Sequence, residues 1–156
     1  MKKFKKYISF VVVILFLGVI AFFLANQNIF LRKSIGNDIK FVKIAGQIVK
    51  VDLALTQKDQ EQGLSGRESL KDNEGMLFIF SKAQKNYFWM KDMNFPIDII
   101  WLDENFRVIY IQKDALPSSY PNVFGPAVDN SYVLEVSSGF SKKNNLKEGD
   151  LVEFLR

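Results

Sequence analysis

Histidine and cysteine are both absent from this chain of 156 residues. Ser-His-Asp and Cys-His catalytic systems are therefore excluded, because neither the histidine base nor the cysteine nucleophile is present. The usual zinc sites are excluded for the same reason, since they draw on His and Cys ligands. Without cysteine there is also no disulfide and no acylated cysteine, so the protein depends on a hydrophobic core.

Several short catalytic and binding motifs are missing as well. The sequence has no P-loop, no G-x-G-x-x-G, no S-x-x-K and no EF-hand loop. Asp103-Glu104-Asn105 is only a polar turn, because the remaining calcium ligands do not follow it. The sequence therefore predicts no cofactor and no metal. Carboxylate pairs are the main catalytic option that remains, and the other is that the protein is not an enzyme.

The positive charge of the chain is concentrated at its N-terminus. The chain has 21 Lys and Arg against 17 Asp and Glu, a net charge of +4. Lys2, Lys3, Lys5 and Lys6 account for that whole excess, because residues 1–25 contain no acid. The rest is neutral and offers no basic face for nucleic acid, so we expect no nucleic-acid partner. A basic tail instead favours contact with anionic lipid on the cytoplasmic side.

An uncharged apolar segment follows the lysines and runs from Ile8 to Ala25. As a helix, its 18 residues would span about 27 Å, close to the thickness of a bilayer's hydrocarbon core. Tyr7 stands where an interfacial aromatic belongs, and the lysines orient the N-terminus toward the cytoplasm. The prediction is a cytoplasmic tail (1–6), a transmembrane signal anchor (7–25), a linker (26–38) and an extracytoplasmic domain (39–156) at the cell membrane.

The rival interpretation of this segment is a cleaved signal peptide. Such peptides have an apolar region of about 7–15 residues that ends at a small-x-small site. Phe23 is too bulky for a site ending at Ala25, and Val19-Ile20-Ala21 lies inside the apolar run. These signs favour the uncleaved anchor.

The remaining residues alternate between short apolar runs and turn signals. Predicted hairpins join 41–44 to 48–55, 76–80 to 87–90, and 97–102 to 106–111. Thr56 and Asp59 predict the capping box of a short helix that Gly63 ends. A long loop covers 112–130, a strand 132–136, a short helix 138–145 and a last strand 151–154. The predicted fold class is all-β, a jelly-roll-like sandwich or barrel with one or two short helices behind a single N-terminal transmembrane helix.

An ordered set of motifs resembles the DUF192 (UPF0127) family over about residues 39–155. The motifs are V-D-L-A-L-T (51–56), G-L (63–64) with Arg67, G-M-L-F-I-F (75–80), W-M-K-x-x-x-x-P-x-D (89–98) and Y-V-L-E-V (132–136). The resemblance implies a β-rich, jelly-roll-like single domain, commonly behind a signal or anchor segment, and no established activity. Asp92 and Met93 depart from the Asn-Thr that commonly follows Trp-Met-Lys in the family.

The polar and aromatic residues of these motifs are the candidate site: Arg67, Trp89, Lys91, Asp92, Asp98 and Glu135. One hypothesis makes them a pocket in which Trp89 stacks on a ligand. The alternative is structural, with Arg67, Asp98 and Glu135 joined in an internal salt-bridge network, because a buried carboxylate needs a partner.

Three functions remain open. The first is a non-catalytic module that binds an envelope glycan, peptide or polymer. The second is an envelope hydrolase with Asp98 and Glu135 as an acid–base pair, which requires about 5–9.5 Å between the two carboxyl groups in one cleft. The third is an accessory subunit that binds a membrane protein through loop 112–130 or through the anchor.

Overall fold

The computed structural model describes residues 15–20, 22 and 38–156. The chain divides between Ser34 and Ile35 into two units. In the first unit, residues 15–20 and 22 are helical. Most of the predicted anchor (7–25) and nearly all of the predicted linker (26–38) lie outside the described residues. Among the residues that are described, no helix is long and apolar enough to cross a membrane.

The second unit is mostly β, with a few short helices. Its strands are β1 (Phe41–Ile44), β2 (Gln47–Ala54), β3 (Glu74–Gln84), β4 (Phe88–Trp89), β5 (Ile97–Leu102), β6 (Val108–Ala115), β7 (Val123–Phe124), β8 (Asn130–Ser137) and β9 (Glu153–Leu155). Its helices are α1 (Gln57–Gln62), a 3-10 turn (Pro117–Ser119) and α2 (Phe140–Lys143). The β-rich prediction is confirmed.

Seven strands form one sheet in the order β6-β5-β8-β3-β2-β1-β9. Strands β2 and β3 pair in parallel, and the other neighbours are antiparallel. The segment just before β9 reaches the opposite edge of the sheet, at the start of β6. Val152 N donates to Phe106 O (2.9 Å), and Val108 N donates to Asp150 O (2.9 Å). The sheet therefore curls into a half-barrel. The short strands β4 and β7 form a separate ribbon.

The curled sheet has a hydrophobic core on each face, because apolar side chains occupy both sides of its central strands. The larger core includes Val42, Leu77, Ile100 and Leu134. The smaller core includes Phe78, Ile99, Trp101 and Val133 on the opposite face. Neighbouring residues of one strand thus belong to different cores, as side chains alternate across a sheet.

Two of the three predicted hairpins are confirmed. Ala45 and Gly46 join β1 to β2 with φ values of 48° and 76°, as a two-residue hairpin turn of the primed type requires. Strands β5 and β6 also pair as predicted. The hairpin predicted between 76–80 and 87–90 is wrong, because β3 pairs with β2 and β8 while β4 pairs with β7. Part of the predicted loop 112–130 is regular structure, since β6 continues to Ala115 and β7 lies within it.

Candidate functional site

An open cleft of about 270 Å³ lies over the smaller core. One rim is α1 with the loop that follows it, and the other is the segment Lys85–Trp89 before and within β4. Phe78 and Phe80 of β3 and Glu135 of β8 line the cleft between the two rims. The two central strands of the sheet therefore form its floor.

The first rim is shaped by the two ends of α1. Thr56 caps the helix in the predicted capping box, where the backbone N–H of Asp59 donates to Thr56 Oγ1 (3.2 Å) and Thr56 N donates to the Asp59 carboxylate (3.2 Å). Gly63 ends the helix with φ of 51°. A Cβ at Gly63 would lie 3.4 Å from Cζ of Phe78 and 3.8 Å from Oε2 of Glu135. The backbone of this rim therefore passes directly over the floor.

The second rim is held by buried amide groups. The indole Nε1–H of the fully buried Trp101 donates to the carbonyl of Asn86 (2.8 Å). The side-chain Nδ2 of Asn86 donates in turn to Oδ1 of Asn130 (2.8 Å). Above these hydrogen bonds, Tyr87 and Trp89 project outward and are 54% and 51% exposed. Trp89 also contacts Tyr120 edge to face, with ring centroids 6.4 Å apart.

The Glu135 carboxyl is buried in the floor of the cleft. Glu135 is 4% exposed, and its Oε2 atom has no hydrogen-bond partner. Burial raises the pKa of Glu135 to about 8, and the positive charge of Arg67 lowers this pKa by a smaller amount. Burial therefore favours the protonated, neutral form of Glu135 in the free protein.

Arg67 lies near Glu135 but is paired elsewhere. Its guanidinium contacts Oδ2 of Asp52 at 2.9 Å, on the partly exposed surface. The ion pairs of the described residues include neither Glu135 nor Asp98. The predicted salt-bridge network of Arg67, Asp98 and Glu135 is therefore not formed.

Asp98 lies on the other face of the sheet from Glu135. In the pairing of β5 with β8, Glu135 is opposite Ile99 and Asp98 is opposite Val136. Paired residues share a face, so the two carboxyl groups point to opposite sides. The hydrolase hypothesis required them in one cleft, and the structure separates them.

The Asp98 carboxylate is satisfied by backbone amides instead of a cation. Its Oδ1 accepts from the N–H groups of Asp114 (2.9 Å) and Gly139 (3.2 Å), and its Oδ2 accepts from Ser141 N–H (2.8 Å). Gly139 is the N-cap of α2, so Asp98 caps this helix from a neighbouring strand. The role of Asp98 is to join β5, β6 and α2.

Lys91 and Asp92 belong to a second depression, of about 680 Å³, which adjoins the cleft at Trp89. Their side chains are exposed, whereas their backbone carbonyls hold the α1 rim. Ser65 Oγ donates to Lys91 O (2.8 Å), and Gly66 N donates to Asp92 O (2.8 Å). Asp92 has φ of 55°, a value that Asp and Asn tolerate better than most residues. Together with Trp89, the two residues connect the rims of the cleft.

Residues 40–154 match the sequence profile of DUF192, which is described as "Uncharacterized ACR". The chain belongs to the DUF192 family. No curated protein matches it.

Solved structures with this fold include two bacterial proteins. A protein of unknown function from Novosphingobium aromaticivorans is 32% identical, with a TM-score of 0.70 over 74% of this chain and 84% of that chain. A candidate transcription regulator from Sinorhizobium meliloti is 27% identical, with a TM-score of 0.68 over 73% of this chain and 90% of that chain. Neither description assigns a ligand.

The most specific DUF192 motif of this chain, residues 89–98, combines surface and core positions. Trp89 is half exposed on the rim, Met90 is buried in the smaller core, and Asp98 is buried beside α2. Of the predicted site residues, Trp89 and Glu135 line the cleft, Lys91 and Asp92 adjoin it, Arg67 lies beside it and Asp98 is excluded from it.

Sequence reasoning missed the amides of this DUF192 cleft. The polar lining residues that were not predicted are Gln57, Gln60, Glu61, Gln62, Ser65, Lys85, Asn86 and Tyr87, and four of them carry side-chain amides. One signal was present, because α1 reads Gln-Lys-Asp-Gln-Glu-Gln and has no buried residue. A helix that is polar on every side is not needed for the core, and this marks it as a surface feature available for binding. Among the described residues, no group of three or more acidic side chains is placed to hold a metal ion.

Proposed function

We propose that this DUF192 protein is a membrane-anchored, extracytoplasmic binding module of the cell envelope without catalytic activity. The observation that carries the proposal is the half-exposed Trp89 on the rim of an open cleft whose floor contains the unpartnered Glu135 carboxyl. An exposed indole is a good stacking surface for a glycan or peptide. A buried polar atom without a partner is usually satisfied by something outside the protein, such as a ligand.

A binding role is favoured over hydrolysis by the distribution of acids. Asp98 and Glu135 lie on opposite faces of the sheet, so they are not a catalytic pair. Glu61 is the second acid that lines the cleft, and its Oε1 accepts from Gln57 Nε2 (2.8 Å) within α1. Glu61→Gln therefore serves as a control for any residual hydrolase hypothesis: envelope polymer cleavage that depends on Glu61 would contradict the proposal.

Anchoring at the membrane is supported by the N-terminal sequence. Four lysines precede an uncharged run of 18 apolar or small residues. The described helical part of that run, residues 15–20 and 22, exposes six large apolar side chains: Leu15, Phe16, Leu17, Val19, Ile20 and Phe22. Such a surface is stable in lipid and unfavourable in water. The bilayer is accordingly a proposed partner, with residues 39–156 on its outer side.

Nucleic acid is not a favoured partner, although the relative from Sinorhizobium meliloti is described as a candidate transcription regulator. The charges of residues 26–156 balance at 17 basic and 17 acidic, since the four remaining basic residues of the chain are in its tail. Nucleic-acid binding needs a basic face. An envelope polymer or peptide is the ligand class that fits the cleft and the anchor together.

Cosedimentation with insoluble envelope polymers tests the proposed binding. The full chain in nonionic detergent is mixed with polymers isolated from the source cells, and the bound fraction is measured for the wild type and for Trp89→Ala. Loss of an exposed stacking surface is expected to weaken binding by about two- to tenfold, since such contacts contribute roughly 0.5–1.5 kcal/mol.

Ile48→Ala is the matched control for that experiment, because Ile48 is 58% exposed but lies on β2, away from the cleft. It should bind as well as the wild type. Equal sedimentation of the wild type and Trp89→Ala would contradict the binding function. Release of the wild-type protein by alkaline carbonate, which strips peripheral proteins, would contradict the anchor.

An accessory role in a membrane protein complex has one observation of its own. Four apolar side chains in segment 112–130 are about half exposed: Leu116, Tyr120, Val123 and Val128. Exposed apolar groups that lie together mark protein contacts. If this segment is the functional surface, Val123→Ser will release a co-purified partner while Trp89→Ala will not. If the cleft is the functional site, as proposed, Trp89→Ala will lose the envelope ligand and Val123→Ser will keep it.

A further inference from the structure

We infer that the cleft receives an ammonium or guanidinium group of its ligand, which pairs with Glu135. The inference rests on the proposed binding function of the cleft and adds the chemical class of the group that is bound. It is carried by three features of the site: the unpaired carboxyl in the floor, the aromatic lining and the orientation of the rim amides.

The Glu135 carboxyl lacks an internal partner. Oε2 is buried without a hydrogen bond, and Arg67, the nearby cation, is paired with Asp52 at 2.9 Å. Other charged or titratable groups on the neighbouring segments are Glu61, Lys85 and Tyr87, which line the cleft. The ion pairs formed by the described residues do not include Glu135. A buried carboxylate is stable only when it is paired with a cation or, like Asp98, fully hydrogen-bonded, so a ligand cation would supply the partner that the fold leaves out at Glu135.

Aromatic side chains line the same cleft as this carboxyl. Phe78, Phe80, Tyr87, Phe88 and Trp89 all line the cleft. Rings of this kind attract organic cations through their negative faces, by about 0.5–2 kcal/mol for each good contact. A carboxyl group among aromatic rings is thus suited to an ammonium or guanidinium group, which also buries the apolar stem that carries the charge.

On the α1 rim, the glutamine side-chain nitrogens donate within the protein, whereas the side-chain oxygens are left as acceptors. Gln60 Nε2 donates to the carbonyl of Ile79 (3.1 Å), and Gln62 Nε2 donates to the carbonyl of Ser65 (2.8 Å). Ser65 Oγ donates away from the cleft, to Lys91 O (2.8 Å). The glutamine side-chain oxygens accept no hydrogen bond from the described residues. A ligand with several N–H donors therefore complements the site better than one with acceptors.

Binding of a cation is coupled to loss of the Glu135 proton. Burial favours the neutral form of the free carboxyl, whereas the pair with a ligand cation requires the carboxylate, so the proton passes to the solvent. Affinity should therefore rise by about tenfold for each pH unit up to about 8 and level off above that value. A ligand that accepts a hydrogen bond from protonated Glu135 would show the opposite trend.

The test uses fluorine NMR of the full chain in nonionic micelles, labelled with 5-fluorotryptophan. The chain has two tryptophans, so Trp89 reports on the cleft and the buried Trp101 reports on the fold. The probes are Nα-acetylarginine amide, Nα-acetyllysine amide and the neutral arginine isostere Nα-acetylcitrulline amide, each titrated at pH 6.5, 7.5 and 9.

The arginine and lysine probes are expected to move the Trp89 resonance with an affinity that rises about 30-fold from pH 6.5 to 9. The citrulline probe should bind at least about tenfold more weakly at pH 9. Glu135→Gln should abolish both the charge preference and the pH dependence while the Trp101 resonance keeps its position. Glu148→Gln, which changes an exposed acid outside the cleft, should retain both.

Three results would overturn the inference: equal binding of arginine and citrulline probes, affinity that falls as pH rises, or no shift of Trp89 with either cationic probe. A different result would contradict the proposed binding function: equal sedimentation of the wild type and Trp89→Ala with the polymer. If Trp89→Ala loses the polymer but Glu135→Gln retains it, the cleft binds a ligand and its charge class is not cationic.

Discussion

At the scale of single residues, two buried carboxyl groups of this protein have opposite chemistry. Asp98 accepts three backbone hydrogen bonds, so its charge is stabilised without a cation. Glu135 has a buried oxygen with no partner, and burial raises its pKa to about 8. The first residue has a structural role, and the second is available to a ligand.

The pH dependence of stability should report the state of Glu135. Its folded pKa of about 8 is above the ordinary value of 4.5, so the folded protein holds this proton more tightly than the unfolded chain. Its contribution to stability is complete below pH 4.5 and is lost as pH rises to about 8. Glutamine does not ionise, so the stability of Glu135→Gln does not fall with pH for this reason. The variant should therefore gain about 4 kcal/mol relative to the wild type between pH 5 and 9.

Urea unfolding of both proteins at pH 5, 7 and 9 measures that difference. Glu61→Gln is the matched control, since Glu61 is exposed and should show no such trend. A stability difference between Glu135→Gln and the wild type that stays constant with pH would mean that Glu135 is ionised in the folded protein.

Asp98→Asn tests the structural role of the other carboxyl group. The amide keeps one acceptor oxygen but places an NH2 group near backbone donors, so at least one of the three N–H groups loses its partner. The expected loss of stability is about 2–3 kcal/mol by thermal or urea unfolding. Polymer binding by the folded fraction should be unchanged. Normal stability with lost binding would instead place Asp98 in the site.

At the scale of secondary-structure elements, local signals were read correctly and nonlocal pairings were not. The turn at Ala45-Gly46 and the capping box at Thr56 depend on residues within a few positions, and both are confirmed. The partners of β3 are β2 and β8, which no turn specifies. The same limit applied to the site, because only the pairing of β5 with β8 shows that Asp98 and Glu135 face opposite sides.

Contact between β3 and β8 is close at Gly75, and this pairing forms the floor of the cleft. A Cβ at this position would lie 2.6 Å from the carbonyl oxygen of Glu135 and 3.2 Å from Cγ1 of Val49. Gly75→Ala should therefore push the strands apart and cost about 2–3 kcal/mol in unfolding free energy.

Gly46→Ala is the comparison, because a Cβ there meets nothing within 4 Å and the cost is only the strain of φ at 76°. That cost should be about 1 kcal/mol. If Gly75→Ala is no more destabilising than Gly46→Ala in the same urea titration, the strands are not held as closely as the fold requires.

At the scale of the whole molecule, the N-terminus and the domain make different contributions. The lysines and apolar run of residues 1–25 hold the excess charge and are proposed to place the protein at the membrane. The DUF192 domain has balanced charge and is proposed to bind through the cleft. Location was therefore inferred from composition alone, whereas the site became evident only when the fold brought α1, β4 and β8 together.

Oxidative footprinting of the full chain tests the central claim most directly. Hydroxyl radicals label exposed side chains of the full chain in micelles, with and without isolated envelope polymer, and the modification rates are read by mass spectrometry. The account predicts that polymer lowers the rates of Tyr87 and Trp89 several-fold and leaves those of Ile48 and Leu151 unchanged. Unchanged rates at Trp89, or protection confined to Leu116 and Val123, would contradict a binding site in the cleft.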